Sequence, residues 1–369
     1  ALGHVRLVLL TGAGDYQSIA GITALELEPA LHAIHNPPGP AETFAEDPAY
    51  LVYTSGTTGF PKGVLHAHRA LIGREPAATY WFNFMPESAG VDRIMHSGKF
   101  NWTYVLGSGL MDPLYQGKTV IVYEGRNDAL TWPRLIAQYG ATIFIGVPTI
   151  YRQIVQKTAV NRADLPTLRF CMSAGEHLSD DMLAAWRERF GMDIFEAVGM
   201  SEFSYYLSQS IHRPIRAGSA GFPQPGHDIR LLNPDTLQPV AQGEEGMIAV
   251  PESDPGLFLR YWNQPEETAK YRHDGYFFTG DYAKLDEDGY LWLLGRVDDV
   301  MNVSGHRIST TEVESALVDH PTVAEAAVVG ANDETTGQAV IAFVTLKGGN
   351  TADEAHGQAL RAHVAQKIG

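Results

Sequence analysis

Between residues 131 and 195 the chain alternates helix and buried-strand patterns, and few folds can absorb that alternation. A helical pattern over 131–139 leads to a continuous apolar run at 141–147, which stops at Pro148 and Thr149. A second apolar run at 168–174 turns at Gly175 and Glu176 and enters an amphipathic helix over 179–190, with Ser179 suited as its N-cap. A further strand is expected at 193–195. Strands that alternate with helices predict a largely parallel sheet whose ligands bind beyond the carboxyl ends of the strands. Thr149, Gly175 and the turn after Phe195 then share one rim.

The flanking segments read differently. Residues 4–11 form a buried-strand pattern ending in a glycine turn, and 33–48 carry four prolines among small and acidic residues, an exposed connection. Residues 92–124 alternate strand-like runs with a glycine-rich helix at 104–114. From Gly218 onward, short strands at 228–232 and 246–250 among glycines and prolines predict an antiparallel barrel or small β subdomain. A polar break at 295–299 precedes a helix at 311–319, strands at 326–330 and 339–346, and a helical pattern over 352–368. The expected fold class is α/β: a large domain over 1–297 with parallel βα layers plus a β subdomain, then a small α+β domain over 298–369.

Composition excludes several function classes. A net charge of −16 over 369 residues argues against a general nucleic-acid binder, which needs a basic surface. No apolar run is long enough to cross a bilayer, so a cytoplasmic protein is expected. The single cysteine, Cys171, precludes an internal disulfide framework and sits in an apolar run as a buried small residue.

Residues 53–64 read Tyr-Thr-Ser-Gly-Thr-Thr-Gly-Phe-Pro-Lys-Gly-Val after a short apolar run. Gly56, Gly59 and Gly63 allow tight turns that aim backbone N–H groups at an anion. Thr54, Ser55, Thr57, Thr58 and Lys62 add hydroxyl donors and one positive charge. The commoner phosphate loop ends in Gly-Lys-Ser/Thr; here Pro61 precedes the lysine and Gly63 follows it, which disfavours a P-loop hydrolase or kinase. His66 and His68 lack a cysteine or carboxylate cluster and are assigned a structural role.

Three later blocks carry candidate chemistry. In Val198-Gly199-Met200-Ser201-Glu202, the glutamate is a suitable oxygen ligand for magnesium, or equally an acid at a helix N-terminus. Asp281 can accept two ribose hydroxyls and Arg296 can reach ribose or phosphate, although Asp281 alone would read as a turn residue. The third block, 302–308, is a glycine-centred loop ending in His306 and Arg307.

In this order these motifs resemble the adenylate-forming superfamily, from acyl-CoA synthetases and aryl-CoA ligases to amino-acid adenylation domains and luciferases. The similarity runs from about residue 49 to 346, with supporting matches at 146–149, 173–176 and 218–226. The resemblance implies ATP, magnesium and coenzyme A as reactants and cofactor, and a two-step conversion of a carboxylic acid through an acyl-adenylate to a thioester. Thr54, Ser55, Gly56, Thr57, Thr58, Gly59 and Lys62 would hold the ATP phosphates, and Glu202 the magnesium. Gly175, Glu176, Val198, Gly199, Met200, Ser201, Asp281 and Arg296 would line the nucleotide site. Asp298 matches the hinge of the small domain, Ser304, Gly305 and His306 the coenzyme A approach, and Arg307 a contact to phosphate or the partner domain. Lys62, Glu202, Arg296 and Arg307 are the residues assigned to catalysis.

For the acyl group, the resemblance points to Trp102, Thr103, Tyr104, Gly199 and Tyr205, with core packing as the competing role for the aromatics. Acetyl-specific relatives fill the pocket floor with tryptophan next to the position of Gly199, so a medium-chain or aromatic carboxylate is expected. One departure is that no lysine after Lys347 stands in the family's Pro-x-x-x-x-Gly-Lys setting; Lys367 has the wrong neighbours. The chain is expected to be a piece of a longer protein; the piece binds nucleotide yet adenylates poorly, while the longer protein is a full ligase. A carrier-protein-loading adenylation domain and a non-catalytic nucleotide-binding remnant are the rival readings. A homodimer is one assembly compatible with the main one.

Overall fold

The structure is a computed structural model and describes residues 7–10, 23–36, 39–54, 61–85, 92–176, 178–297, 300–303, 306–333 and 337–368. It divides into two compact units, Ala1–Phe44 and Ala45–Gly369. In the first, strand Leu7–Leu10 lies parallel to Thr23–Glu26, which runs into helix Leu27–His32.

The second unit is built on a seven-stranded sheet. Its order is Phe222–Pro223, Ser204–Ser208, Ile194–Met200, Phe170–Ala174, Ile143–Gly146, Arg93–His96, Thr119–Ile121. The last five are mutually parallel, and Ser204–Ser208 runs antiparallel both to Ile194–Met200 and to Phe222–Pro223. Successive side chains along these strands point to opposite faces. Phe144, Cys171 and Ile194 therefore pack with Trp132, Tyr151 and Trp186 of the covering helices, while Ile143, Ile145, Met172 and Phe195 pack with Trp81 and Phe82 on the other face. Burial on both faces explains why the strands read as unbroken apolar runs. Cys171 is fully buried, and burial pushes its thiol up to about 12.

The helices end where the sequence stops them. Thr131–Tyr139 and Asp180–Phe190 close at Gly140 (φ +62°) and Gly191 (φ +64°), both in the left-handed conformation that glycine adopts without a Cβ penalty. Ser179 Oγ accepts from the Met182 amide, as an N-cap should.

Two expectations need correction. The strand expected at 193–195 continues to Met200 and turns back through Ser204–Ser208, so Val198, Gly199 and Met200 lie within a strand rather than after one. The glycine-rich helix near 104–114 is interrupted: Thr103–Leu106 and Asp112–Tyr115 are α-helical, and Gly107–Met111 between them is a π turn. That wider turn is a recurrent feature of functional sites.

The β subdomain is an antiparallel sheet in the order Arg230–Leu232, Gly246–Pro251, Tyr276–Leu285, Arg272–His273, with Leu291–Arg296 also paired to Tyr276–Leu285. A separate three-stranded sheet joins Pro48–Thr54, Lys62–Ala67 and Arg260–Tyr261. At the end of the chain, His306–Ser309, Val300–Val303, Gly337–Leu346 and Val323–Asp333 form a four-stranded antiparallel sheet. Helices Thr310–Val318 and Glu354–Ile368 contribute Val313, Leu317 and Leu360 to its core.

Candidate active site

A cavity of about 590 Å³ opens beyond the carboxyl ends of the parallel strands. Gly175, Glu176 and the stretch from Glu196 to Gly199 come from the sheet, Asp281 and Arg296 from the β subdomain, and Glu312, Asp319 and Lys367 from the C-terminal helices. Sheet topology makes this the rim on which an α/β protein binds ligands. Asp281 and Arg296 are register partners across one hairpin. Arg296 Nη1 donates to Asp281 Oδ1 at 3.2 Å, and the buried Tyr206 hydroxyl donates to Asp281 Oδ2 at 2.9 Å. The carboxylate is thereby fixed in orientation at the cavity wall.

Two other acids of the wall are also held. Glu176 Oε2 accepts from the amide and the hydroxyl of Thr149, at 3.1 and 2.7 Å, tying two strand ends together. Glu196 accepts from the Leu178 amide at 3.0 Å, and burial pushes its carboxyl up to about 8. A carboxyl that is neutral at pH 7 both donates and accepts, which suits the mixed donor and acceptor edge of a nucleobase.

Thr54 and Lys62 are cross-strand neighbours in the hairpin that carries the glycine-rich segment. Lys62 Nζ meets Glu267 at 2.5 Å and lies 5.2 Å and 5.4 Å from the centroids of the Tyr261 and Tyr271 rings. Burial opposes its charge, but Glu267 and Tyr271 outweigh it and raise its pKa above the ordinary lysine value. Tyr261 also reaches Glu202, its hydroxyl donating to Oε1 at 2.7 Å. One tyrosine thus connects the two residues that sequence reasoning assigned to phosphate and metal. The preceding backbone is held as well: His66 Nε2 bonds to the Ser201 carbonyl at 2.8 Å, with the imidazole stacked on Tyr50. Burial holds His66 down at about 4, so the ring is neutral and structural, as its sequence setting suggested.

Among the described residues no three His, Cys, Asp or Glu side chains are grouped to hold a metal ion. Glu202, 8 % exposed, contributes a single carboxylate. That fits magnesium, which binds through one or two carboxylates and takes its other ligands from phosphates and water.

The aromatic candidates separate. Trp102 is 41 % exposed and covers Gly175, where a Cβ would come within 2.8 Å of the indole. Thr103 Oγ1 contacts Ser201 Oγ at 3.1 Å, and Tyr104 points inward with its ring edge-on to Trp102. Tyr205 is in the core: its hydroxyl bonds to Asp112, which also accepts from Arg74 Nε at 3.0 Å. Gly199 has a backbone reason to be glycine, because a Cβ would stand 2.2 Å from the Ser204 carbonyl oxygen.

Ser55, Gly56, Thr57, Thr58, Gly59, Asp298, Ser304 and Gly305 lie outside the described residues, as do the side chains of His306 and Arg307. Sequence reasoning missed Tyr206, Tyr261 and Glu267. The aromatics read as core residues, and the ion pair between Lys62 and Glu267 spans 205 positions, which no local pattern reveals.

The sequence model of the AMP-binding enzyme matches residues 6–262, and that of the AMP-binding enzyme C-terminal domain matches 312–369. The chain belongs to the AMP-binding enzyme family. An acetyl-coenzyme A synthetase of Streptomyces coelicolor is 38 % identical over 340 residues, 88 % of this chain and 52 % of the relative. Among solved structures, a benzoate CoA ligase from Burkholderia xenovorans superposes with a TM-score of 0.83 at 27 % identity, covering 99 % of this chain and 74 % of that one. The anthranilate CoA ligase AuaEII in complex with anthranoyl-AMP gives a TM-score of 0.79 at 32 % identity, covering 89 % and 63 %. This AMP-binding chain spans about half the length of the curated relatives it matches.

Proposed function

We propose that the protein to which this chain belongs is an AMP-forming acid–thiol ligase, which activates a carboxylic acid with ATP to an acyl-adenylate and transfers the acyl group to coenzyme A. The observation that carries the reading is the Asp281–Arg296 pair, locked by Tyr206 and facing the strand ends Gly175–Glu176 and Glu196–Gly199 across one cavity. Asp281 has the acceptor geometry for ribose hydroxyls, and Arg296 sets a positive charge one side chain away.

In the first step the acid's carboxylate oxygen attacks the α-phosphorus of ATP and pyrophosphate leaves. In the second the thiol attacks the acyl carbon and AMP leaves. Lys62 sits at the end of the glycine-rich segment and exchanges its Glu267 partner for a phosphate when ATP enters. Glu202, oriented by Tyr261, would hold magnesium, which when bound offsets charge on the phosphates. Asp298, Gly305 and Arg307 are assigned the hinge, the thiol approach and a phosphate contact on sequence alone.

A medium-chain or aromatic acid is the preferred substrate, supported by the Trp102 ring over Gly175, with Tyr104 edge-on to it, and by relatives named for benzoate and anthranilate. Acetate is the second reading, favoured by the acetyl-coenzyme A synthetase at 38 % identity. No described helix is long and apolar enough to cross a membrane, and we assign the protein to the cytoplasm, where ATP and coenzyme A are supplied. Carboxylate-dependent exchange of labelled pyrophosphate into ATP, measured across acetate, octanoate and benzoate on the full-length protein and on this chain, tests the proposal. Exchange with one acid that Glu202→Ala abolishes supports it; no exchange from the full-length protein with any acid sinks it.

A further inference from the structure

Behind Trp102 two buried polar atoms have no hydrogen-bond partner among the described residues, His96 Nε2 and Tyr104 Oη. The rings meet edge to face with centroids 4.8 Å apart. His96 ends a parallel strand and is 5 % exposed. Two glycines seat its imidazole: a Cβ on Gly109 would come within 2.9 Å of the histidine Cβ, and one on Gly98 within 3.3 Å of Cε1. The Gly98 amide donates to Nδ1 at 2.9 Å, which makes that nitrogen the acceptor and leaves the proton on Nε2. Burial holds the ring neutral, its pKa lowered to about 3. Tyr104 keeps its proton for the same reason, and the nearby Ser108 hydroxyl gives its own proton to the Tyr104 carbonyl at 2.7 Å. Among the described residues His96 Nε2 is thus a buried donor with no acceptor, and Tyr104 Oη makes no more than a long contact to the Ser108 oxygen, an arrangement that costs free energy unless a ligand supplies an acceptor.

The pair adjoins the site already described. Tyr104 packs edge-on against Trp102, Trp102 covers Gly175 of the cavity wall, and Thr103 touches Ser201, the neighbour of Glu202. We propose that His96 and Tyr104 form the far, polar end of the acyl pocket and select a carboxylic acid that carries a hydrogen-bond acceptor, such as a ring nitrogen or keto oxygen, distal to its carboxylate. The inference rests on the adenylating reading above. His96 and Tyr104 act here on specificity and take no part in bond making. A site with buried donors discriminates strongly against a ligand that leaves them unpaired.

The test is calorimetric binding of 5′-sulfamoyladenosine conjugates to this chain, which needs no turnover. Benzoyl is compared with its isosteres picolinoyl, nicotinoyl and isonicotinoyl, and AMP serves as the nucleotide control. The expected result is that the pyridine conjugate whose nitrogen meets the pair binds about tenfold tighter than benzoyl. Tyr104→Phe and His96→Leu should each remove that preference, and AMP binding unchanged within about twofold shows that the variants fold. Pyridine conjugates that bind no tighter than benzoyl, or a preference that survives both substitutions, overturn the inference. Binding of AMP without any conjugate overturns it too and leaves the nucleotide reading standing. If AMP does not bind, the ligase reading falls and the inference falls with it.

Discussion

Tyr261 donates its hydroxyl proton to Glu202 Oε1 at 2.7 Å, and both residues are buried. The strand that carries Tyr261 pairs with the strand after the glycine-rich segment, Tyr261 opposite Val64, so a carboxylate from the main sheet is oriented by a neighbour of Lys62. Removing the hydroxyl leaves Glu202 buried without that donor. Tyr261→Phe should lower stability by about 1–3 kcal/mol, read as a shift of the urea midpoint, and should reduce pyrophosphate exchange. An unchanged midpoint would mean that water replaces the hydroxyl.

Asp281 is presented to the cavity by Arg296 and Tyr206. Asp281→Ala should weaken AMP binding by about tenfold or more in calorimetry, since on the proposed reading the carboxylate accepts two ribose hydroxyls and the variant loses both bonds at once. Equal affinity in the variant would place the ribose elsewhere.

Glu196 supplies a pH signature. Its folded pKa, about 8, lies above the ordinary carboxylate value, so its contribution to stability is fully present below about pH 4.5. That contribution is lost as pH rises through 8, where the folded state must bury a carboxylate. Glu196→Gln stays neutral throughout. The thermal midpoint of the variant relative to the native chain should therefore climb between pH 5 and pH 8 and level off above, in about that range. A difference independent of pH would contradict the assignment.

Gly199 separates two explanations of one residue. If glycine is there to widen the acyl pocket, Gly199→Ala changes substrate preference at unchanged stability. The 2.2 Å approach to the Ser204 carbonyl predicts the other outcome, a loss of about 1–3 kcal/mol in chemical denaturation as the hairpin shifts to relieve the clash.

Much of the scaffold was legible because its signals are local. Apolar runs at Ile143–Gly146 and Phe170–Ala174 and the Ser179 cap each declare themselves within a few residues. The strand Ile194–Met200 was read too short because its last residues are paired by a segment that comes later, Ser204–Ser208, through a bulge near Tyr205. The π turn at Gly107–Met111 was hidden in an otherwise helical pattern, since the glycines that permit it also occur in ordinary helices.

The candidate site was legible in its charged residues and illegible in what holds them. Asp281 and Arg296 stand fifteen positions apart and meet through hairpin register. Lys62 and Glu267, or Glu202 and Tyr261, meet only because three separate segments pack together. The same holds for Tyr205: the family resemblance pointed to an acyl contact with core packing as the competing role, and its hydroxyl is bound to Asp112 beside Arg74 in the core.

In the proposed reaction the acid attacks the α-phosphorus of ATP at the cavity bounded by Asp281 and Arg296. ATP labelled at its α-phosphorus, incubated with the full-length protein, magnesium and a panel of carboxylic acids without coenzyme A, tests it most directly. Label is expected in an acyl-adenylate, released as AMP when coenzyme A is added, with unlabelled pyrophosphate formed in equal amount. Label recovered in ADP would mean attack at the γ-phosphorus and would overturn the adenylating mechanism.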